Sequence, residues 1–329
     1  MQDWLFKRGR RERVIDWLSL DSKIDSTIAE WRKRYPDNTR IWMAEAWASS
    51  ASNDFVRADS IARAVESRPR NLTERRLASG MIEDIAMLRG RYSEGYEWRK
   101  KYTGALIEGS PSYLNRFQRS VDSAEYAMLL GDKPERVREL MARGLARTPL
   151  DSMPASERPY LELMELAAMV DDGQLMQTAA NGYLRDQAPH KLDSAGARMY
   201  GTGMLAYSRQ QWDAAISAFN AAKARGEMLP HHNALYVGIA HDRAGRRDSA
   251  IKYIEEFVGF SSVDLLTKGR YEARIRRRAA ELYEEAGNTK KALEHYNAIL
   301  DMWRNADPSL KPEVDAVRQS MERLRARTG

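Results

Sequence analysis

The fold of this chain is decided by a stretch at residues 203–222, which reads GMLAYSRQQWDAAISAFNAA. Ala215, Phe219 and Ala222 follow the spacing of one face of a helix, and Gly203 lies twelve residues before Ala215. A small residue in each of two consecutive helices lets the two pack closely in antiparallel orientation. The stretch therefore predicts a helix–turn–helix unit.

The same spacing occurs twice more toward the C-terminus. Gly245 and Gly287 stand at the predicted turns, where a left-handed backbone conformation suits glycine. Larger side chains four and seven residues after the small residue of each second helix are expected to fill the gap to the next unit. The two equivalent small-residue pairs are Gly238 with Ala250 and Ala280 with Ala292.

These units resemble the tetratricopeptide repeat, a helix–turn–helix of about 34 residues. Upstream of residue 190 the match is degenerate, and Glu83 stands where the family has a small residue. Through residues 303–308 and 311–312 the chain is also similar to repeat arrays at the C-termini of bacterial multidomain regulators. The positions that carry the repeat resemblance are Gly203, Trp212, Ala215, Phe219 and Ala222, then Gly238, Gly245, Ala250 and Phe257, then Ala280, Tyr283, Gly287, Ala292 and Tyr296.

The predicted fold is all-α, an α-solenoid of about seven tetratricopeptide-like helix pairs with a C-terminal capping helix. Stacked pairs need such a cap to cover their last apolar face. The predicted segments are 1–38, N-terminal helices that read as a truncated repeat; 39–190, degenerate repeats; 191–305, well-matched repeats; and 306–329, the capping helix. The predicted pairs lie at about 39–69, 72–104, 112–148, 156–188, 196–226, 231–260 and 270–304.

Composition excludes several classes of protein. The hydrophobic share is 43% and the formal net charge is +6, which argues against a disordered chain. The chain has no Cys, which excludes disulfides, thiol nucleophiles and thiolate zinc sites. No apolar run is long enough for a membrane helix and no signal peptide is evident, so a cytoplasmic location without a membrane partner is expected.

No constellation of residues predicts catalysis, a metal site or a cofactor. His232 and His241 are nine residues apart, which is not the spacing of a helical ligand pair. Glycine-rich phosphate loops are absent from the sequence as well. We therefore expect a protein that is not an enzyme.

Two basic clusters raise the alternative of a nucleic-acid ligand. Aromatic residues do not interleave with these cations, so a solvated, partly ion-paired face is the favoured interpretation. Glu281, four residues after Arg277, is a candidate ion-pair partner. The clusters comprise Lys7, Arg8, Arg10, Arg11 and Arg13, and Lys268, Arg270, Arg274, Arg276, Arg277 and Arg278.

The resemblance implies a concave groove, lined by the first helix of each pair, that binds a peptide or helix. Tyrosines beside charged residues would form an amphipathic pocket, although Tyr200 and Met204 could instead pack between helices. Arg276 and Arg278 are expected to lie outside the groove. The predicted groove residues are Tyr200, Met204, Tyr207, His232, Leu235, Asp242, Arg243, Arg274 and Arg277.

The sequence therefore favours a protein–protein interaction scaffold or sensor module without catalytic activity. One alternative is a helical-repeat protein that binds nucleic acid. Another is a regulatory segment of a longer kinase or DNA-binding regulator. The sequence specifies neither the identity of the protein or peptide partner nor an oligomeric state.

Overall fold

The computed structural model describes residues 21–52, 54–260 and 265–328, and every regular element within these ranges is a helix. The prediction of an all-helical chain is confirmed for this part. Sixteen α-helices follow one another in these ranges: α1 (Asp21–Arg34), α2 (Thr39–Ala51), α3 (Phe55–Glu66), α4 (Leu72–Leu88), α5 (Tyr92–Gly109), α6 (Tyr113–Leu129), α7 (Pro134–Arg147), α8 (Tyr160–Met169), α9 (Gly173–Asp186), α10 (Ser194–Ser208), α11 (Trp212–Ala224), α12 (Pro230–Arg243), α13 (Arg247–Gly259), α14 (Leu265–Glu285), α15 (Thr289–Met302) and α16 (Lys311–Thr328).

The helices stack in chain order, and all consecutive helices other than α7 and α8 pack closely against each other. Helices α2 to α15 form seven consecutive pairs whose bounds lie within a few residues of the seven predicted pair positions. Side-chain caps fix several of the starts: Asn71 accepts from the backbone N–H of Glu74, and Asp172 accepts from that of Leu175. None of the helices in the described ranges has the length and apolar character that crossing a membrane would require.

The turn inside six of the pairs has the same backbone conformation. At Gly245 and Gly287 the φ angles are 71° and 73°, which confirms the predicted left-handed turns. The N–H of Arg246, just after Gly245, donates to the carbonyl of His241 at 2.9 Å, a bond that spans five residues and closes the helix end. The six positions with positive φ are Gly90, Gly131, Asp171, Gln210, Gly245 and Gly287.

The small residues lie at helix crossings, as their spacing predicts. Ala215, Ala250 and Ala292 are each 0% exposed. A Cβ added to Gly203 would lie 2.6 Å from ring atoms of Phe219, so the first helix of that pair approaches too closely for a larger residue.

Helix α16 covers the last pair. One stripe of its side chains is buried, together with Leu310 in the short 3₁₀ turn before it. The stripe consists of Val314, Val317, Met321 and Leu324. The predictions that concern residues 1–20, including the N-terminal basic cluster, lie outside the described residues.

A contact that the sequence did not predict joins the second and third helix pairs to the last one. Helix α14 packs against α4, and a Cβ at Gly269 would lie 2.8 Å from the Cβ of Met87. The N–H of Asp307 donates to the carbonyl of Gly90 at 2.9 Å, and its carboxylate accepts from the N–H of Ser93 at 2.7 Å. We call this set of contacts, made by α14 and residues 303–307 with α4–α6, the closure contact.

Candidate functional site

Three of the nine predicted groove residues belong to the core. Tyr200, Met204 and Leu235 are 6%, 0% and 2% exposed. The ring of Tyr200 lies edge-on to Tyr183 of α9, with centroids 6.2 Å apart, and tilted against Phe219 of α11. These side chains therefore fill space between neighbouring helices instead of lining an open groove, because the helices on either side close over them.

Four others lie on the first helices of three successive pairs. Three of them, Tyr207, Asp242 and Arg243, are in the last turn of their helix, and Arg277 lies farther from the end of α14. Tyr207 is half-buried, edge-on to Trp212 at 5.3 Å between ring centroids. Arg243 is 59% exposed in its side chain and lies 4.0 Å from the carboxylate of Asp171. Arg277 forms the predicted ion pair with Glu281, at 3.3 Å.

Arg278 binds one of these residues. Its guanidinium donates two hydrogen bonds of 2.9 Å to the carboxylate of Asp242. Arg278, which the sequence predicts to lie outside the groove, thus pairs with a predicted groove residue 36 positions away, because α12 and α14 run side by side. We define the groove rim as Tyr207, Asp242, Arg243, Arg277 and Arg278.

His232 and Arg274 face the interior. The Nε2 atom of His232 lies 3.0 Å from the hydroxyl of Thr267, and its Nδ1 atom lies 3.9 Å from the carboxylate of Glu165. Arg274 donates to the carbonyl of Met128 on α6 at 3.3 Å. The structure thus divides the nine predicted residues among core, rim and interior. Their peptide-binding role stays a prediction.

A cluster of buried charges lies inside the array, where α4, α5 and α6 meet. The Arg99 guanidinium is within 3.3 Å of Glu83, 3.0 Å of Asp122 and 3.2 Å of Glu125. All four residues are at most 5% exposed. Buried charges cost desolvation energy unless they are paired, so the three carboxylates depend on the surrounding cations.

Helix α14 supplies the second cation of this interior charge cluster. The Nε–H of Arg270 donates to Glu125 at 2.7 Å, and another of its nitrogens lies 3.6 Å from Glu165 of α8. The hydroxyl of Tyr126 donates to Glu83 at 2.9 Å. The cluster therefore connects the second, third and fourth helix pairs to the last one.

Burial affects the three carboxylates differently. It raises the pKa of Asp122 to about 7 and also raises the pKa of Glu83, despite the attraction of Arg99. Burial raises the pKa of Glu125 too, but Arg270 and Arg99 together outweigh that effect and hold it below its ordinary value. Asp122 is therefore a carboxyl group in this cluster that can gain or lose a proton near neutral pH.

The sequence marks Glu83 as unusual, because the repeat has a small residue at this position, but it did not identify the partners of Glu83. The signal for them is a repeated pair of acids, Asp122 with Glu125 on α6 and Glu162 with Glu165 on α8, three residues apart in each helix. Both pairs lie among apolar residues of a first helix, which is unusual for carboxylates without buried partners.

The C-terminal basic cluster is bound to carboxylates of the chain itself. Lys268 and Arg276 both pair with Glu272, at 3.6 and 2.6 Å. Together with the pairs formed by Arg270, Arg277 and Arg278, these contacts favour the interpretation of an ion-paired helix.

In the described ranges, no group of three or more His, Asp or Glu side chains could hold a metal ion. No protein-family model matches the chain, and a comparison with curated proteins gives no significant match. The tetratricopeptide resemblance therefore stays a prediction.

Proposed function

We propose that this chain is a non-catalytic helical-repeat scaffold of the tetratricopeptide type that binds an acidic peptide or helix along the groove rim. The observation that carries the proposal is the exposed pair of cations on that rim. Arg243 and Arg277 are 59% and 43% exposed in their side chains. The charge of Arg243 acts on the hydroxyl of half-buried Tyr207, and Arg277 precedes Arg278, which binds Asp242, the residue before Arg243.

The chemistry of the rim suits a peptide that carries both apolar and acidic residues. An aromatic face supplies apolar contact area, and cations fix the orientation of the bound chain. Asp171, which lies near Arg243, is 84% exposed in its side chain. An exposed ion pair of this kind contributes at most about 1 kcal/mol, so a carboxylate of the partner can replace Asp171 at little cost.

Burial of Tyr200, Met204 and Leu235 favours the rim over the interior as the place of binding. A peptide that reached these side chains would have to separate helices that already pack together. A nucleic acid is the less favoured partner, because most arginines of α14 already bind carboxylates.

The proposal is tested by selecting binders from a displayed library of short random peptides. Selected peptides are expected to carry an acidic residue next to an apolar one. Their affinity, measured by fluorescence anisotropy, should fall by about tenfold in Arg243→Glu and again in Arg277→Glu. Circular dichroism of each variant verifies that the fold is retained.

Arg318→Glu is the matched control. Arg318 on α16 is 59% exposed and pairs with Asp315 at 3.1 Å, so the charge change and the exposure match those at Arg243. Equal binding of the selected peptides to all three variants would contradict the proposal. So would tight, salt-sensitive binding of a generic RNA that the two rim variants abolish while peptide binding persists.

A further inference from the structure

One ion pair at the groove rim joins two helix pairs that are not neighbours. A carboxylate oxygen of Asp171, in the turn after α8, lies 4.0 Å from a guanidinium nitrogen of Arg243, at the end of α12. Helix α8 belongs to the fourth helix pair and α12 to the sixth. In stacked helix arrays each unit normally contacts only its neighbours. This ion pair therefore spans the fifth helix pair, which lies between them.

The residue of the fifth pair that lies beside this ion pair is Tyr207, in the last turn of α10. The rings of Trp212 and Tyr236 lie edge-on to its ring, with centroids 5.3 and 5.9 Å away. Burial is the main cause that raises the pKa of its hydroxyl to about 12, while the charge of Arg243 lowers this pKa and that of Asp171 raises it. Both partners of the ion pair thus act on the hydroxyl end of the ring.

The backbone of Asp171 indicates that its side chain is used. Its φ angle is 54°, in the left-handed region that glycine adopts freely and that aspartate adopts only at some cost. Four of the six described turns of this kind have glycine at the corresponding position. A glycine here would avoid the cost but would bring no carboxylate to Arg243. Strain of this kind, where a strain-free residue is the common choice, points to a function for the side chain.

We propose that Asp171 and Arg243 form an ionic strap across Tyr207, which closes the groove rim while no peptide is bound. An acidic residue of the peptide displaces Asp171 from Arg243, and the uncovered ring of Tyr207 then contacts the neighbouring apolar residue. The strap rests on the proposed function, because it regulates access to the same site. It makes recognition of the acidic residue a step toward recognition of the apolar one.

A strap differs in its effect from simple repulsion between Asp171 and an acidic peptide. Repulsion weakens the binding of only those peptides that carry a negative charge. A strap that covers Tyr207 weakens every peptide that uses this ring, with or without an acidic residue. The two explanations can therefore be separated with a neutral peptide.

Hydroxyl-radical footprinting with mass spectrometry tests the strap without any peptide, because it measures the solvent access of individual rings. Asp171→Asn removes the charge and keeps a residue that tolerates the left-handed turn. We expect oxidation of Tyr207 to rise by about twofold or more in this variant, relative to Tyr35, whose side chain is 50% exposed on α1. Arg243→Gln should have the same effect, because the strap needs both partners.

Asp301→Asn is the matched control for the loss of an exposed, paired carboxylate. Asp301, on α15, is 73% exposed in its side chain and lies 3.1 Å from Arg304. This variant should leave the oxidation of Tyr207 unchanged. Circular dichroism verifies that each variant retains the helical fold.

The second measurement is fluorescence anisotropy with a selected acidic peptide and with a counterpart in which the acidic residue is replaced by its amide. Asp171→Asn should raise the affinity of both peptides by about threefold. A rise for the acidic peptide alone would indicate repulsion and overturn the strap. So would equal oxidation of Tyr207 in the parent and in both strap variants.

Failure of the strap and failure of the proposed function give different results. If peptide binding does not depend on Arg243, the proposed function is contradicted, and footprinting of Tyr207 still decides whether the strap exists. If binding depends on Arg243 while Asp171→Asn changes neither affinity nor oxidation, the strap alone is wrong.

Discussion

Ala215 illustrates how single residues set the spacing of the array. It is fully buried on α11, while its neighbour Ala214 on the same helix is exposed. Both alanines lie in the same turn of the same helix. Substituting each of them with the same residue therefore separates the effect of packing from the effect of helix propensity.

We predict that Ala215→Leu lowers the free energy of unfolding by about 1–3 kcal/mol, because a larger side chain overpacks a crossing already in contact. Ala214→Leu should change it by no more than about 0.5 kcal/mol. Urea denaturation followed by circular dichroism measures both. Equal stability of the two variants would mean that the crossing at Ala215 can expand freely.

At this scale the sequence predicted the packing residues well, but it did not distinguish residues of a groove from residues of the core. Small residues at a fixed spacing have few explanations other than close helix contact, so the burial of Ala215 and Ala250 could be derived. The burial of Tyr200 could not, because an amphipathic side chain on a first helix fits either a groove or a core. Asp122 escaped notice because its cation, Arg99, lies on a different helix of the fold.

The turn is the feature that the helix pairs share most closely. Its left-handed residue is glycine in four of the six described turns but Asp171 and Gln210 in the other two. Glycine at Gly245 could be interpreted from the sequence, since it adopts this conformation without steric cost. Gln210 gave no such signal, because a residue other than glycine disfavours this backbone conformation.

Gly245→Ala should therefore destabilise the protein by about 1 kcal/mol through backbone strain alone. No atom lies within 4 Å of the added Cβ, so packing plays no part. Gly259→Ala is the matched control: its Cβ also has open space, but its φ is not positive. That variant should be neutral or slightly more stable. Thermal melting compares the two, and a loss at Gly259 as large as at Gly245 would rule out the conformational explanation.

For the whole molecule, stability depends on how the array ends. Helix α16 buries a stripe of apolar side chains against the last pair, and the sequence predicted this cap from the spacing of that stripe. The closure contact could not be predicted from the sequence. It depends on the accumulated curvature of all the intervening pairs, which no local pattern encodes.

Deleting residues 309–329 should expose the face of α15 that α16 covers. The deletion removes five buried apolar side chains, each contributing about 1.5 kcal/mol or more. We expect a lower melting temperature and concentration-dependent self-association, measured by light scattering after size-exclusion chromatography. A chain shortened only to residue 326 keeps the stripe and serves as control. Unchanged, monomeric behaviour of the long deletion would show that α16 is not a cap.

The closure contact has a consequence for how such a chain can evolve. Tandem duplication lengthens open arrays readily, because a new unit needs only two compatible neighbours. In this chain a unit gained or lost between α4 and α14 would rotate Gly269 away from Met87 and leave Glu125 facing the wrong residue. Descendants are therefore expected to conserve the number of units in this interval, and to vary in length at surface segments such as residues 148–159 or beyond the two joined helices.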